Sequence, residues 1–379
     1  MRMLATAPMR TLVRRGFLGP APLAPMAADL WRGSIPSQHV TTFLFSHRRN
    51  LSREAQQAPN KVKLIWAGLD FTAGLPATQT LRPDWTYLAV ASSGIRDAIE
   101  RERPDVVVPL MTRMDASLIA HAAAHGVRLI HQFGAGLEGV DVEAANAAGV
   151  PVANIPAAGA GTGNAVATAE HAVYLLLGLL RQAVAIEGKV GERRLGGPVG
   201  NTLQGKTVLL VGFGAIGHAL TPILRAFGAR VTAFRHAHDR AWARQDEALV
   251  DAHGSFHPEP GGIGGSERLI EMAAEAEVMI VCCPLTDETR GLVDSKVLSA
   301  LVGPPREGGG WLVNVARGAV VDRAALFSSV EQRELRGVAV DVFWREPFEG
   351  SLDDESGLQA LLDLRAAGHN VVVTPHVAG

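Results

Sequence analysis

The stretch that decides the fold reads Thr207-Val208-Leu209-Leu210-Val211-Gly212-Phe213-Gly214-Ala215-Ile216-Gly217. An apolar run predicts a buried strand, a G-x-G-x-x-G pattern predicts a tight turn, and a helical pattern follows as far as Gly228. Gly212 permits the turn, Gly214 lets a pyrophosphate approach the backbone, and Gly217 lets helix and strand pack closely. The alternative, a plain tight turn, explains the glycines but not the strand and helix around them. The stretch therefore predicts a dinucleotide loop.

Short apolar runs continue on both sides of this loop. The downstream set, which begins with the strand of the loop itself, comprises Val208–Val211, Val231–Phe234, Val278–Val281, Leu312–Val315, Val338–Val340 and Val371–Val373. Runs of this length suit strands that are covered by helices on both faces. Because helical connectors separate them, the pattern predicts an α/β protein with a parallel sheet. Glycine-rich stretches at 254–265 and 303–310 are expected to be loops.

A second, upstream set of elements begins near Lys61. Strands are predicted at Val62–Trp66, Val106–Val108, Leu129–Ile130 and Val152–Ala153, and helices at Ala116–Ala124 and Val142–Ala148. A long helix from Ala165 to Val190, capped by Asn164, is expected to connect the two sets. The predicted organisation is a substrate domain at 61–164, an interdomain helix at 165–190 and a dinucleotide-binding domain at 191–379.

Composition narrows the class of partner. A net charge of −2 gives no electrostatic basis for binding nucleic acid. The two cysteines, Cys282 and Cys283, are adjacent and cannot join distant segments, which favours a reducing compartment. The apolar run from Ala172 to Leu180 ends at Arg181 and is too short to span a membrane. No His-Glu-x-x-His or Cys-x-x-Cys pattern occurs, so no metal site is predicted.

The first 60 residues are expected to be a leader. Residues 1–53 contain eight arginines, no lysine and a single acid, Asp29. This composition is typical of a mitochondrial or chloroplast transit peptide, which predicts an organellar protein. A disordered extension or a misassigned start codon would explain the same composition, and the protein would then be cytoplasmic.

Three segments near the end of the chain each place a polar side chain after an apolar run. They are Asn314-Val315-Ala316-Arg317-Gly318, Asp341-Val342-Phe343-Trp344-Arg345-Glu346-Pro347 and Thr374-Pro375-His376. Taken singly, Arg317 would be interpreted as a surface arginine, Glu346 as an exposed loop acid and His376 as a structural histidine. Because consecutive strands of a parallel sheet end on one edge, the three side chains are expected to converge.

The three side chains together suit the reduction of a 2-oxo acid. Arg317 would bind the substrate carboxylate and polarise the carbonyl group. His376 would deliver a proton as hydride arrives, and Glu346 would keep that imidazole protonated and oriented. The predicted reaction interconverts a small 2-oxo acid and its 2-hydroxy acid with NAD or NADP.

The residue after the second strand of the dinucleotide domain bears on the choice of cofactor. NAD sites usually carry an acid there, which binds the ribose 2′-OH. Here Val231–Phe234 is followed by Arg235, and Asp239 lies four residues later. Arg235 is either a solvated loop residue or part of a pocket for a 2′-phosphate, and the second interpretation favours NADP.

With these motifs in view, the sequence resembles the D-isomer-specific 2-hydroxyacid dehydrogenase family from about Lys61 to the last residue. The similarity extends to Gly134–Asp141, Asn154–Pro156 and Asn164–His171. Within the family the chain is most similar to a plant-type branch, through Gln132–Asp141 and Gly161–Asn164. The resemblance implies two Rossmann-like parallel-sheet domains, with the cofactor domain inserted into the substrate domain, and a homodimer.

The resemblance also implies roles for individual residues. It makes Arg317, Glu346 and His376 catalytic. The implied cofactor contacts are Gly212, Gly214, Ala215, Ile216, Gly217, Arg235, Cys283, Val315, Ala316 and Asp341. The implied substrate contacts are Ala135, Gly136 and Thr112. The substrate would be of the glyoxylate, hydroxypyruvate or phosphoglycerate type.

The chain departs from the family pattern at its end. Family members return to the substrate domain through a further helix, whereas this sequence stops at Gly379, three residues after His376. The return segment is therefore expected to be missing, with His376 on a terminus that frays. Two alternatives to an active enzyme stay open. They are a non-catalytic NAD(H)-sensing protein related to the corepressors of this fold, and an inactive truncated fragment.

Overall fold

The structure is a computed structural model of the 379-residue chain. It describes residues 61–68, 74–110, 112–134, 136–155, 163–235, 242–256, 264–302, 309–346, 352 and 354–379. The predicted leader at 1–60 lies outside the described residues. So do the central parts of the two predicted glycine-rich loops, at 257–263 and 303–308.

The upstream part of the chain forms a parallel sheet, which contains five strands in the described residues. The strands are β1 (Lys63–Gly68), β2 (Thr86–Val90), β3 (Val106–Leu110), β4 (Leu129–Gln132) and β5 (Val152–Asn154). Their order is β2-β1-β3-β4-β5. Strand β2 therefore lies on one side of β1, and the later strands β3 to β5 lie on the other side. The accompanying helices are α1 (Gly74–Leu81), α2 (Ile95–Glu102), α3 (Ala116–Ala124) and α4 (Val142–Ala147).

The downstream part forms a second parallel sheet, with seven strands in the described residues. They are β6 (Thr207–Val211), β7 (Arg230–Arg235), β8 (Ala252–Ser255), β9 (Val278–Val281), β10 (Trp311–Asn314), β11 (Gly337–Val340) and β12 (Val371–Val373). The order is β12-β11-β10-β9-β6-β7-β8, and the inner strands are almost completely buried. Two parallel sheets confirm the predicted fold class.

The helices of the second sheet are α7 (Ala215–Ala226), α8 (Arg244–Glu247), α9 (Gly265–Glu275), α10 (Ser295–Val302), α11 (Arg323–Glu331) and α12 (Leu358–Ala366). Apolar side chains cover both faces of the sheet. Leu209 and Val211 lie in one core cluster with Leu269 of α9, whereas Val208 and Leu210 lie in another with Leu220 of α7. Burial on both faces explains why these strands read as continuous apolar runs.

The predicted long helix from Ala165 to Val190 is wrong as a single element. The structure has two helices, α5 (Asn164–Leu180) and α6 (Ala183–Gly191), at an angle of 61°. The break falls at Gln182, whose φ of +54° cannot continue a right-handed helix. Asn164 is also not the cap, because the helix begins at Asn164 and Gly163 precedes it with a φ of +75°.

Among the residues that the structure describes, no single helix is long and apolar enough to cross a membrane, and only the bent pair of α5 and α6 meets that criterion together. The predicted domain boundaries and the predicted absence of a return segment stay predictions.

Candidate active site

The dinucleotide loop joins β6 to α7, and its glycines are required by close backbone packing. Gly212 has a φ of +110°, and a Cβ atom there would lie 2.6 Å from the backbone nitrogen of Cys283. A Cβ on Gly217 would lie 3.0 Å from the ring of Phe213. At Gly214, in contrast, an added Cβ would meet nothing within 4 Å. The loop is therefore closely packed at both ends and open at its centre.

The N-terminus of α7 faces this open centre. Gly214 is the N-cap residue and makes no side-chain capping hydrogen bond. The N–H groups of the first turn, including those of Ala215 and Ile216, have no acceptor within the helix. Such a terminus is a binding site for an anion such as pyrophosphate. The loop is thus suited to hold a dinucleotide.

The loop also lies at the point where the strand order reverses, because β6 pairs with β7 on one side and with β9 on the other. Open α/β sheets bind ligands at such a point. Cys282 and Cys283 follow β9, and the Cys282 thiol donates to the Gly212 carbonyl oxygen at 3.2 Å. Burial raises the pKa of the Cys283 thiol to about 12 and shifts the pKa of Cys282 upward as well. Both thiols are neutral at physiological pH.

Arg235 ends β7 and is buried beside an acid that the sequence did not predict. Its Nη2 lies 2.7 Å from Oδ2 of Asp246, and its guanidinium stacks on the Trp242 ring at 4.4 Å. The other carboxylate oxygen of Asp246 lies 3.2 Å from Nε2 of His218. The usual acid is absent from the end of β7, as read from the sequence, but Asp246 places a carboxylate beside Arg235. Asp246 comes from α8, eleven residues further along the chain.

The turn after β10 carries Arg317 and is held by the side chain of Asn314. Asn314 belongs to the quoted motif, but no role was predicted for it. Asn314 is buried at the end of the strand. Its amide nitrogen donates to the Arg317 carbonyl oxygen at 3.0 Å, and its amide oxygen accepts from the backbone N–H of Ala316, also at 3.0 Å. These two hydrogen bonds fix the turn that carries Arg317.

The Arg317 side chain reaches the loop that follows β4 in the other sheet. Its Nε donates to Oε1 of Glu138 at 3.2 Å, and Nη1 donates to the Ala316 carbonyl oxygen at 2.8 Å. A Cβ atom on Gly136 would collide with Nη2 of Arg317. The structure therefore brings two predicted site residues, Arg317 and Gly136, into contact, and adds Glu138, which was not predicted.

His376 and Glu346 form a direct pair. Nδ1 of His376 lies 2.7 Å from Oε2 of Glu346, and Oε1 of Glu346 accepts from the backbone N–H of Phe343 at 2.8 Å. His376 has a φ of +56°, which is uncommon for a residue with a side chain. The His376 side chain is 33% exposed, so the pair faces accessible space.

Asp341 holds the loop that carries His376. It is fully buried at the end of β11. Its Oδ1 accepts from the Thr374 hydroxyl at 2.6 Å and from the Val377 N–H at 3.0 Å, and its Oδ2 accepts from the Ala378 N–H at 2.9 Å. His171 of α5 adds a contact, with Nε2 2.9 Å from the Thr374 hydroxyl oxygen. These hydrogen bonds connect the residues on both sides of His376 to the sheet, and the expected fraying of this end stays a prediction.

The remaining predicted residues divide into three groups. Val315 and Ala316 are buried between β10 and Arg317. Thr112 follows β3 and is buried, with its hydroxyl oxygen 3.0 Å from the Ala67 carbonyl oxygen and 2.7 Å from the Ser92 hydroxyl oxygen. Ala135 lies outside the described residues. These hydrogen bonds join Thr112 to the first sheet, and its predicted contact with the substrate stays a prediction.

Several residues that shape the site were not predicted: Glu138, His171, Asp246, Asn314 and Thr374. Glu138 and Arg317 are 179 residues apart, and His171 and Thr374 are 203 residues apart. No local pattern links such pairs. Asn314 and Thr374 do stand within the quoted motifs, so their position directly after a strand was a usable signal.

The chain has clear relatives among known proteins. The sequence profile described as D-isomer specific 2-hydroxyacid dehydrogenase, NAD binding domain, matches residues 173–378. An (S)-sulfolactate dehydrogenase from Chromohalobacter salexigens is 30% identical over 83% of this chain and 87% of its own length. A D-3-phosphoglycerate dehydrogenase from Mycobacterium bovis is 34% identical over 73% of this chain. The chain spans only 45% of that second relative.

A solved structure shows the same architecture. The pyruvate reductase of Chlamydomonas reinhardtii superposes with a TM-score of 0.64 and is 26% identical, covering 84% of this chain and 90% of its own. The matched profile also covers the dinucleotide loop, Arg317, Glu346 and His376. The chain belongs to the D-isomer specific 2-hydroxyacid dehydrogenase family, a family of oxidoreductases.

Proposed function

We propose that this protein interconverts a small 2-oxo acid and its D-2-hydroxy acid, with His376 as the proton donor. The observation that carries the proposal is the 2.7 Å contact between Nδ1 of His376 and the Glu346 carboxylate. A carboxylate only accepts hydrogen bonds, so Nδ1 carries a proton. Nε2 is then the nitrogen that passes a proton to the substrate oxygen and takes it back in the reverse direction.

Arg317 is the proposed anchor for the substrate. A guanidinium binds a carboxylate through two parallel hydrogen bonds and places positive charge beside the carbonyl oxygen. A Cβ atom on Gly136 would collide with Nη2 of Arg317 and with Oε2 of Glu138, so the absence of a side chain at Gly136 leaves room for both groups. A substrate carboxylate at Arg317 would also meet the Glu138 carboxylate, which must yield part of its contact with Nε.

The proposed cofactor is a nicotinamide dinucleotide, which supplies or accepts the hydride when it is bound. The residues present fit its pyrophosphate. Gly214 leaves open space, and Ala215 and Ile216 offer backbone N–H groups at the start of α7. Cys283, Val315, Ala316 and Asp341 are the proposed contacts of the nicotinamide and adenosine parts of the cofactor. The neutral Cys283 thiol adds no negative charge there.

The test of the activity is a panel of glyoxylate, hydroxypyruvate, pyruvate, 3-sulfopyruvate and 3-phosphohydroxypyruvate, each assayed with NADH and with NADPH. Turnover of at least one 2-oxo acid is expected, and Arg317→Gln should abolish its saturation by substrate. Arg323→Gln is a matched control, because Arg323 lies on α11 and contacts the Glu355 carbonyl oxygen instead. Tight dinucleotide binding without turnover of any 2-oxo acid would support the non-catalytic alternative.

We further propose that NADPH is preferred over NADH, because Arg235 stands where an acid usually binds the ribose 2′-OH. The ion pair with Asp246 opposes this preference, since a 2′-phosphate must compete with that carboxylate. Charge-assisted hydrogen bonds contribute about 1.5–3 kcal/mol, which corresponds to at least a tenfold preference.

The cofactor proposal is tested by the ratio of kcat/KM for NADPH to that for NADH. Arg235→Asp should lower or reverse the ratio, and Asp246→Asn should raise it because the competing charge is removed. The matched control is Arg225→Gln, which removes an arginine paired with Asp251 at 3.2 Å. A wild-type kcat/KM for NADH that equals or exceeds that for NADPH contradicts the proposal.

We also propose a homodimer. Large apolar side chains are exposed on α5, α6 and the segment after them, at Tyr174, Val190, Leu195 and Val199. Light scattering after size-exclusion chromatography should give twice the 40.0 kDa chain mass. Leu195→Glu combined with Val199→Glu should yield monomers, whereas a monomeric wild-type protein contradicts the proposal.

The proposed location is an organelle, on the basis of the arginine-rich leader. Residues 1–60 fused to a fluorescent protein should direct it to mitochondria or chloroplasts. A diffuse cytosolic signal would favour the alternative of a disordered extension.

A further inference from the structure

We propose that Glu100, His121 and His125 form a binding site for a divalent transition-metal ion, with Zn²⁺ as the best match. The three residues lie on α2 and at the end of α3, beside the five-stranded sheet. None of them belongs to the predicted catalytic, substrate or cofactor residues. The site would be additional to the activity proposed above.

The geometry supports chelation by three side chains. His121 and His125 are four residues apart, so they lie on one face of α3 and its last turn. Their ring centroids are 4.2 Å apart. One ligand atom from each histidine and one from Glu100 all lie within 4.8 Å of one another. Ligands at about 2.1 Å from a tetrahedral Zn²⁺ are about 3.4 Å apart, which small rotations of these partly exposed side chains can reach.

The hydrogen bonds of the two rings fix their tautomers. Nδ1 of His125 lies 2.8 Å from the His121 carbonyl oxygen, and Nε2 of His121 lies 3.2 Å from the Arg96 carbonyl oxygen. A carbonyl oxygen only accepts, so each of these nitrogens carries the proton. The lone pair then belongs to Nε2 of His125 and to Nδ1 of His121. Ligand histidines in metalloproteins are held in the same way, by donating their second N–H to a carbonyl or carboxylate.

The donor set selects the class of metal. Two imidazole nitrogens and one carboxylate oxygen suit Zn²⁺ and its neighbours Co²⁺ and Ni²⁺, and disfavour Ca²⁺ and Mg²⁺, which prefer oxygen. Arg96, one turn before Glu100 on α2, directs its guanidinium to the Ser117 hydroxyl oxygen at 3.0 Å. Glu100 is the acidic member of the cluster and supplies its negative charge. Bound metal would cross-link α2 to α3 and leave a fourth position for water.

The sequence did not predict this site because Glu100 lies on a different helix, 21 residues before His121. The His-x-x-x-His spacing alone is common on helices and carries no metal signature. Only the packing of α2 against α3 adds the third ligand.

The experiment uses the full chain, freed of metal with a chelator and titrated with Zn²⁺ by calorimetry and with Co²⁺ by visible absorption. One tight equivalent and a raised melting temperature are expected. His121→Gln and His125→Gln should each weaken binding at least tenfold, and Glu100→Gln should weaken it less. His369→Gln, at a partly exposed histidine after α12, is the matched control and should bind like the wild type.

Co²⁺ provides a readout that a structural role alone would not change. Its visible bands should shift when either imidazole of the cluster is replaced. Unchanged Zn²⁺ affinity and Co²⁺ spectra in the His121→Gln, His125→Gln double variant would overturn the proposal, as would the absence of saturable binding to the wild type. NADH binding and far-UV circular dichroism confirm that each variant is folded.

Discussion

The two proposed catalytic groups, His376 and Arg317, are held in different ways. His376 is held by residues that follow strands of its own seven-stranded sheet, with Glu346 on its ring and Asp341 on its loop. Arg317 follows a strand of the same sheet, but its guanidinium contacts Glu138, which follows β4 of the five-stranded sheet. The proposed proton donor is therefore held within one sheet, whereas the proposed substrate anchor contacts residues of both sheets.

Because of this difference, we expect substitutions near His376 and near Arg317 to change different kinetic parameters. The side chains of His376 and Glu346 are 33% and 19% exposed, and a fully buried carboxylate supports the pair. The side chains of Arg317 and Glu138 are 32% and 48% exposed, so solvent weakens their electrostatic attraction. We expect changes near His376 to lower kcat, and changes near Arg317 to alter the apparent affinity for the 2-oxo acid.

The largest effect is expected for His376→Ala. Loss of the proton donor should lower kcat by about 10²–10⁴-fold, with dinucleotide affinity nearly unchanged, because the dinucleotide loop lies after a different strand. The measurement is steady-state turnover together with fluorescence titration of NADH. His369→Ala serves as control, since that histidine follows α12 and does not belong to the site. Wild-type turnover in His376→Ala would remove the proposed mechanism.

The second prediction concerns the support of His376. Asp341→Asn places an NH₂ group against the N–H groups of Val377 or Ala378, which lose an acceptor. Loss of one such buried partner costs about 1–3 kcal/mol of stability. A displacement of His376 by about 1 Å lowers kcat by about 10²-fold. Both the unfolding free energy and kcat should therefore fall, with KM for the 2-oxo acid little changed.

The matched control for Asp341→Asn is Asp322→Asn. Asp322 is the N-cap residue of α11 beside the same sheet, and its carboxylate accepts from the Ala325 N–H at 2.8 Å. Asparagine caps a helix about as well as aspartate, so that variant should keep both the wild-type stability and the wild-type kcat. Equal kcat values for Asp341→Asn and the wild type would show that the His376 loop keeps its position without Asp341.

The third prediction concerns the shared anchor. Glu138→Gln removes the charge that competes with the substrate carboxylate for Arg317. A partly exposed ion pair contributes about 0.2–1 kcal/mol, so KM for the 2-oxo acid should fall by up to about fivefold while kcat stays near the wild-type value. Glu143→Gln, on the exposed side of α4, is the control. A raised KM with a lowered kcat would instead make Glu138 a positioning residue for Arg317.

The sequence predicted the inner strands of both sheets, because burial on both faces leaves continuous apolar runs such as Val278–Val281 and Val338–Val340. The strands β2 and β8 were missed. Both lie at sheet edges, and the second contains His253 and Gly254, so neither has a buried apolar run. A continuous apolar run indicates a fully buried strand, whereas these two edge strands are only partly buried.

Site residues that follow a strand were predictable for the same reason. Arg317 and His376 follow β10 and β12, and parallel strands bring their ends to one edge. Glu138 and Asp246 were not predictable, because their partners are brought to them by the packing of loops and short helices. The break at Gln182 was missed as well, since a single residue with positive φ leaves the apolar pattern of α5 and α6 intact.

The smallest effect at neutral pH is expected for Cys282 and Cys283, which lie beside the dinucleotide loop. Their reactivity tests whether water reaches this edge of the seven-stranded sheet. Burial raises the pKa of Cys283 to about 12, and the pKa of Cys282 is shifted in the same direction. Both thiols should be unreactive toward a thiol reagent in the native protein and fully reactive in denaturant. Rapid reaction of either thiol in the native state would show that water reaches this edge.

The same burial predicts how stability changes with pH. A thiol in the unfolded chain ionises near its ordinary pKa of 9.0, whereas Cys283 stays protonated in the folded protein to about 12. The folded state therefore binds more protons between these values. Stability therefore falls as pH rises through this window, because only the unfolded state loses the thiol protons there.

Because lysines and tyrosines also titrate in this window, the measurement is the difference in unfolding free energy between the wild type and the Cys282→Ala, Cys283→Ala double variant. The difference should be constant from pH 6 to about 8.5 and should then change in favour of the variant, since only the wild type loses the contribution of the two protonated thiols. A constant difference up to about pH 11 would mean that the thiols ionise in the folded protein as readily as in the unfolded chain. Water would then reach this edge of the sheet, as it reaches the partly exposed pair of Arg317 and Glu138.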